Sequence, residues 1–552
     1  MAKIQKTKAA SAAVGAGGGG AAPIDPAGHF HKTLEHDPAT GLVKNPADFQ
    51  KLWDVMMDPA SDGGDVETIP AAAGADKFAD PLAAFATGDI FPDPGEFRLE
   101  PPPAVESTDM PTEILDLYWM ALLRDVPFAV LEENPGLAGA AVADIDKGLL
   151  ASTGNLTRGV GGDFPKTLSL GTLFRGTAPG EDVGPLVSQF WLRDIPYGTQ
   201  TISQRQLRYP GRKRIGENGR PYDYLYGWSK WLYAQDTGRD EQGRTYEQAN
   251  RDERGANDYG YVSTMRDLAS FVHRDALHQA YFNAALYLLS QLGHSPIWDD
   301  GNPYVGGKGW KRQKGFGTYG GPHLLTAVSE VASRALQVQW YQKWRVHLRQ
   351  RPEAYGGLVE KNLLPGLGGQ AAHDLLQNSK ALDAIKAEYG NSGLLPLAFS
   401  SGSPTHPSYG AGHATVAGAC VTVLKIYFDD EAPFPGPVYL PSPDGSLPTT
   451  PHVGPTLTIG GELNKLASNV GMGRSMGGVH FRTDNIRSMR MGEELAAVMV
   501  ANQLSHFREG QDVQLTFTSF AGEKITITPK TISGYADPNK DMRLTDLAAP
   551  LP

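Results

Sequence analysis

The chain has 552 residues and a formal charge of −11, from 50 Lys and Arg against 61 Asp and Glu. That length allows two to four domains or one large decorated one, and an apolar share of 40% supports a sizeable core and argues against wholesale disorder. The acidic balance argues against bulk nucleic-acid binding, the single cysteine Cys420 excludes intrachain disulfides and cysteine-ligated zinc or iron–sulfur sites, and the sequence holds no apolar run long enough for a transmembrane helix.

Residues 1–23 are basic, then rich in Ala and Gly. They lack the apolar stretch of a signal peptide and read as a flexible tail. A chain without disulfides suits the cytoplasm and leaves other export routes open. Residues 24–110 are rich in Pro, Gly, Asp and Ala and read as an arm lying against a core or a partner subunit. The Pro-rich stretch 91–103 marks its boundary. Residues 111–510 read as a helical domain. Apolar periodicity predicts helices over 112–123 (with Thr112 as a candidate cap), 265–292, 323–350, 413–428 and 485–504. Several helices of this length predict a mainly α fold built of helical bundles. In the last segment, 511–552, Val513–Thr518 and Lys524–Thr528 alternate around Ala521-Gly522, which predicts a small β-hairpin.

The sequence has neither a serine-hydrolase elbow nor a zinc-peptidase motif. Asp144 to Asn155 starts like a calcium loop but ends on Asn where a Glu is needed. Three other stretches carry chemistry. Lys343 and Arg351 stand near the end of a long predicted helix, with Pro352 breaking it. A lysine and an arginine placed so can converge on one tetrahedral anion, although basic residues also suit a helix C-terminus. His406 to His413 is a Gly-containing loop opening an apolar helix. Its free N–H groups offer an anion site, with His413 as a neighbouring acid or base. The alternative is an ordinary loop with two structural histidines. Arg474 to Asp484 supplies a cation, a Gly pair, His480 and a carboxylate four residues later that can fix the imidazole tautomer. The alternative there is a surface ion pair.

Together these stretches run Lys-x7-Arg-Pro, Gly-x-Gly-His and Arg-x5-His-x3-Asp. That order resembles the vanadium-dependent haloperoxidases and the related helical acid phosphatases. It is most similar to the bromoperoxidases of the red-algal type, through the Lys343–Arg351 spacing and the second histidine, His406. The phosphatases and the fungal-type chloroperoxidases typically place the lysine and arginine one residue closer. The likeness is most specific over residues 317–357 and 404–428.

The resemblance implies a vanadate cofactor bonded by His480 and neutralised by Lys343, Arg351 and Arg474, with a hydrogen bond from the Gly412 N–H. It implies that His413 moves protons, that His406 tunes His413 and halide preference, and that Asp484 orients His480. Trp340 would line the entrance, or simply pack its helix. The implied activity is oxidation of bromide or iodide, with chloride in range, by hydrogen peroxide to hypohalous acid, which halogenates organic nucleophiles. It further implies a homo-oligomer, from dimer to dodecamer, with contacts from the 24–110 arm. It implies a structural calcium, for which Asp299-Asp300-Gly301-Asn302 is an acidic loop in the right region. Ala411 departs from the family, which commonly carries Ser there. The missing hydrogen bond is worth roughly 0.5–1.5 kcal/mol. The competing functions are a phosphatase of the same superfamily and a non-catalytic protein with a degenerate anion site.

Overall fold

The computed structural model describes residues 25–543, apart from 59, 87–92, 134, 209–222, 253–258, 292–296, 306–311, 447, 452–453, 510–511, 538–539 and 541. The tail proposed for residues 1–23 and the last residues, 544–552, lie outside the described part.

The helix Gly412–Tyr427 stands at the centre. Every residue in it is buried except His413. A helix apolar all round must be enclosed on every side, and this one packs against Gly321–Gln342, Ile459–Met476 and Arg482–His506. Two glycines set the closest crossing. A Cβ on Gly418 would lie 2.1 Å from the Met489 carbonyl oxygen, and one on Gly492 would lie 2.1 Å from that of Thr415. Only hydrogen fits between those backbones.

Several predicted elements change in detail. The first predicted helix begins at Met110, and Thr112 lies inside it as a buried residue, not as a cap. The predicted 265–292 helix is two helices, Met265–Phe271 and Gln279–Gln291. The bend between them carries Asp275. The predicted 323–350 helix stops at Gln342, followed by a π-helical turn over Lys343–His347. Ile459–Met476 is a helix that the sequence reading did not assign. The predicted C-terminal hairpin is there, as Leu515–Thr518 paired antiparallel with Lys524–Ile527. It extends through Thr531–Ser533 and Met542–Arg543 into a four-stranded meander. Leu515, Phe517, Ile525 and Ile527 bury its inner face. The fold is mainly α, and the remaining strands form two-stranded ribbons.

Part of the 25–110 segment folds onto the chain's own core. Phe30, Leu34, Phe49, Leu52 and Met56 cluster with Trp344 and Leu348. The segment therefore braces the turn that carries Lys343.

Candidate active site

Lys343 lies at the junction between the long helix and the π turn and is fully buried. Its ammonium donates to the carbonyls of Pro407 (2.6 Å) and Ser408 (3.0 Å). An ammonium has three donors, so one is left over. The π turn ends at Leu348 in the left-handed region (φ 45°). Arg351 then caps the next helix, Pro352–Glu360, in extended geometry, as a residue before proline must. Its guanidinium ties three stretches together. Nε donates to the His406 carbonyl (2.9 Å), Nη1 to the Val479 carbonyl (2.7 Å) and to Nε2 of His480 (3.0 Å), and Nη2 to Nδ1 of His406 (2.9 Å).

His480 has a defined tautomer. Its Nδ1 donates to Asp484 Oδ2 at 3.0 Å, so Nε2 carries the lone pair. Asp484 is held in turn. Oδ2 also accepts from the Phe481 N–H (3.0 Å) and the Ser408 hydroxyl, and Oδ1 accepts from Arg349 Nη1 (2.6 Å). The carboxylate stands in the first turn of Arg482–His506, where a negative charge suits the helix dipole.

Arg474 sits on the last turn of Ile459–Met476. Its Nη1 donates to the Tyr246 hydroxyl (2.8 Å) and the Val272 carbonyl (2.9 Å). Its Nε is buried with no partner among the described residues. His413 follows Gly412 at the start of the central helix, where the first N–H groups lack helical partners. Its side chain is 19% exposed, and Nε2 is 3.0 Å from Asp275 Oδ1. Ala411, just before, is pinned by its N–H to the Ser488 hydroxyl (3.0 Å). Trp340 touches the site from the long helix. Its ring lies 5.0 Å from that of His406 and 5.7 Å from the Lys343 ammonium, and its indole N–H donates to the Ala79 carbonyl (3.1 Å).

The electrostatics follow from this crowding. Burial, then the charge of Arg351, pushes Lys343 well below the usual ammonium range. Burial and Arg474 bring Arg351 down to about 9. Burial and the charges of Arg351, Lys343 and Arg474 hold His480 neutral, far below the ordinary imidazole value. His406 is lowered for similar reasons. The nearby carboxylates are already engaged, Asp484 by Arg349, Asp275 by His413 and Glu353 by Lys32. Lys343, Arg351 and Arg474 thus share a buried space dense in basic groups, with spare donors on Lys343 and Arg474 and with the Nε2 lone pair of His480, which here accepts from Arg351. Such a donor set fits an oxyanion whose central atom can take a nitrogen ligand.

The structure brings Lys343, Arg351, His406, Arg474, His480 and Asp484 together, with Gly412, His413 and Trp340 at the rim. Among the described residues no hydrogen bond joins His406 to His413; His406 bonds Arg351 instead. The acidic loop at 299–302 is elsewhere. Asp299 accepts from the Gly301 N–H (2.7 Å) and the Thr516 hydroxyl (3.1 Å), and burial raises it to about 6. Among the described residues no three His, Cys, Asp or Glu side chains converge as a metal cluster.

A family model described as the VCPO second helical-bundle domain matches residues 323–509. The vanadium-dependent bromoperoxidase of Corallina pilulifera is 33% identical over 487 residues, covering 79% of this chain and 77% of that protein. The vanadium-dependent bromoperoxidase of Ascophyllum nodosum is 31% identical over 541 residues, covering 93% and 89%. This chain belongs to the vanadium-dependent haloperoxidase family. The fold agrees. The homohexameric second vanadate-dependent bromoperoxidase of Ascophyllum nodosum superposes with a TM-score of 0.77 at 27% identity, over 92% of this chain and 85% of that one.

Within this haloperoxidase scaffold the sequence reading missed four neighbours of the site. Arg349 stands in the same motif as Arg351 and joins Asp484 to Glu113; its Arg-x-Arg-Pro context was the available signal. Asp275, Tyr246 and Ser488 reach the site from distant segments and left no local pattern.

Proposed function

We propose that this chain is a vanadate-dependent haloperoxidase that uses hydrogen peroxide to oxidise bromide or iodide to hypohalous acid, which then halogenates organic nucleophiles. The observation that carries this reading is the buried surplus of cations around a neutral His480 whose Nδ1 proton is committed to Asp484. Vanadate, when bound, supplies a Lewis acid that activates peroxide without changing oxidation state.

The chain's own residues do the rest. His480 Nε2 is the ring atom that would hold vanadium, and Asp484 fixes its orientation. Lys343, Arg351 and Arg474 bind the oxygens by charge and by their spare N–H groups, and the Gly412 N–H adds the helix start. Lys343, held between two carbonyls, stabilises negative charge as it develops on the reacting oxygen. His413 stands at the only unburied position of its helix, where it can exchange protons with solvent, and its Nε2 lies 3.0 Å from Asp275 Oδ1. His406 and Trp340 form the wall beside Lys343 and Arg351, a position suited to halide selection. The chain acts as a homo-oligomer in this reading, with the 24–110 arm supplying contacts. Leu82, 52% exposed, is an apolar group on that arm. The solved Ascophyllum nodosum relative is homohexameric. Structural calcium rests on the resemblance and on Asp299 alone.

The test is bromination of a dye by apoprotein with peroxide and bromide, with and without orthovanadate, beside a phosphate-ester assay. Expected are vanadate-dependent bromination, its loss in His480→Ala, and a light-scattering mass that is a multiple of the 59.3 kDa chain. Ester hydrolysis inhibited by vanadate, without halogenation of the dye with any halide, would make the protein a phosphatase. Silence in both assays would make it a degenerate-site protein.

A further inference from the structure

Resting on the haloperoxidase reading, we propose that the Tyr246 hydroxyl is an anion-binding donor of this site and supplies the neutral hydrogen bond that Ala411 cannot. Tyr246 and Val272 take both protons of Arg474 Nη1, at 2.8 and 2.9 Å, while its Nε stays buried without a partner among the described residues. An arginine that is 3% exposed does not leave a donor unused without cost. Its remaining donors are therefore offered to a ligand.

Tyr246 stands beside the same guanidinium, on Nη1. Its oxygen accepts from Arg474, so its own proton must be donated to something else. Among the described residues that proton has no acceptor. Burial raises the phenol above its ordinary value, so it keeps the proton at any working pH. The charges acting on the hydroxyl are those of Arg474, Arg351 and Asp275, all groups of the site. The ring is wedged edge-on against His273 (4.3 Å) and Phe399 (6.1 Å), which limits its swing. A rigid phenol on the guanidinium of an anion-binding arginine, with a free proton, is a donor for an anion oxygen. Ala411 lacks a side-chain donor, and its N–H is committed to Ser488. The number of neutral donors is thus restored from a different part of the chain.

The test is a binding cycle on apoprotein, with orthovanadate affinity measured by equilibrium dialysis. Wild type, Tyr246→Phe, Ala411→Ser and the double variant are compared. Tyr246→Phe is expected to weaken binding about tenfold. Ala411→Ser should tighten it less than about twofold in wild type but about tenfold in the Tyr246→Phe background, because only there is a donor missing. A Tyr that merely steadies Arg474 predicts equal gains in both backgrounds, and that result overturns the proposal. So does a vanadate-loaded crystal structure with the Tyr246 oxygen beyond about 4 Å from every vanadate oxygen. If Tyr246→Phe does not fold, Ala411→Ser decides alone, since a tenfold gain in wild type means that a donor was lacking. Wild type that binds no vanadate overturns the haloperoxidase reading and this proposal with it. Wild type that binds, beside an unchanged Tyr246→Phe, overturns the proposal only.

Discussion

Burial acts on charges of both signs in this molecule, and the partners decide which survive. Around His480 burial and mutual repulsion press the basic groups of Lys343 and Arg351 down, which is the state expected of a site whose charge balance awaits an anion. Glu181 shows the opposite case. It is 2% exposed, and burial raises its carboxyl from 4.5 to about 7 against weaker help from Ser468 and Ala178. Between those values the folded chain holds a proton that the unfolded chain has released. Stability must therefore fall as pH rises through that window and level off above it. Glu181→Gln removes the titration while keeping the shape. Urea unfolding should show the variant gaining on wild type from pH 5 to pH 8, by on the order of 1–3 kcal/mol. Equal pH slopes would sink the argument. At this scale the sequence was readable where neighbours in space are neighbours in chain. Lys343 with Arg351, and His480 with Asp484, are short-range patterns. Asp275, beside His413, is one acid among many until the bend after Phe271 turns it inward.

Elements carry the site through their crossings and their irregularities. The π turn at Lys343–His347 closes one residue later per turn than an α-helix does. The eight-residue step from Lys343 to Arg351 runs through that turn and the left-handed Leu348 that ends it. Periodicity alone extends that helix to residue 350, because the apolar pattern continues while the hydrogen bonding changes. The Ile459–Met476 helix escaped for another reason. Its Gly460, Gly461, Gly471 and Gly473 lower helix propensity, and the Thr458 cap and enclosure by its neighbours stabilise it instead. The crossing of Gly412–Tyr427 with Arg482–His506 links the His413 and His480 ends of the site. Gly418→Ala forces a methyl against the Met489 carbonyl, which is backbone and cannot rotate away. The expected cost is about 1–3 kcal/mol or more, read as a lower melting temperature, with weaker vanadate binding as the helices part. An unchanged melting temperature would mean that the crossing is looser than described.

At the scale of the whole molecule, the N-terminal segment is part of the site's support. Composition marked it as an arm, and nothing local showed where it docks, because docking depends on a pair 321 residues apart. Lys32 spends all three ammonium protons on Glu353 Oε1 (2.8 Å) and the carbonyls of Ser401 (3.0 Å) and Ser403 (2.6 Å). Glu353 also accepts from Gln235 (3.1 Å) and the Ser403 N–H (2.7 Å). The pair therefore joins the arm both to the helix that Arg351 caps and to the loop that leads into His406. Both side chains are buried, so removing one leaves the other without water or a counter-charge. Lys32→Met should cost about 3–5 kcal/mol in urea unfolding and weaken vanadate binding, because the Ser401–His406 loop loses its anchor. Adding Glu353→Gln should recover part of the stability by removing the stranded charge. It should not recover the affinity, since the neutral amide no longer ties the loop to the arm. A Lys32→Met chain that loses less than about 1 kcal/mol, within the range of a surface pair, would show that the arm is a passenger on this fold.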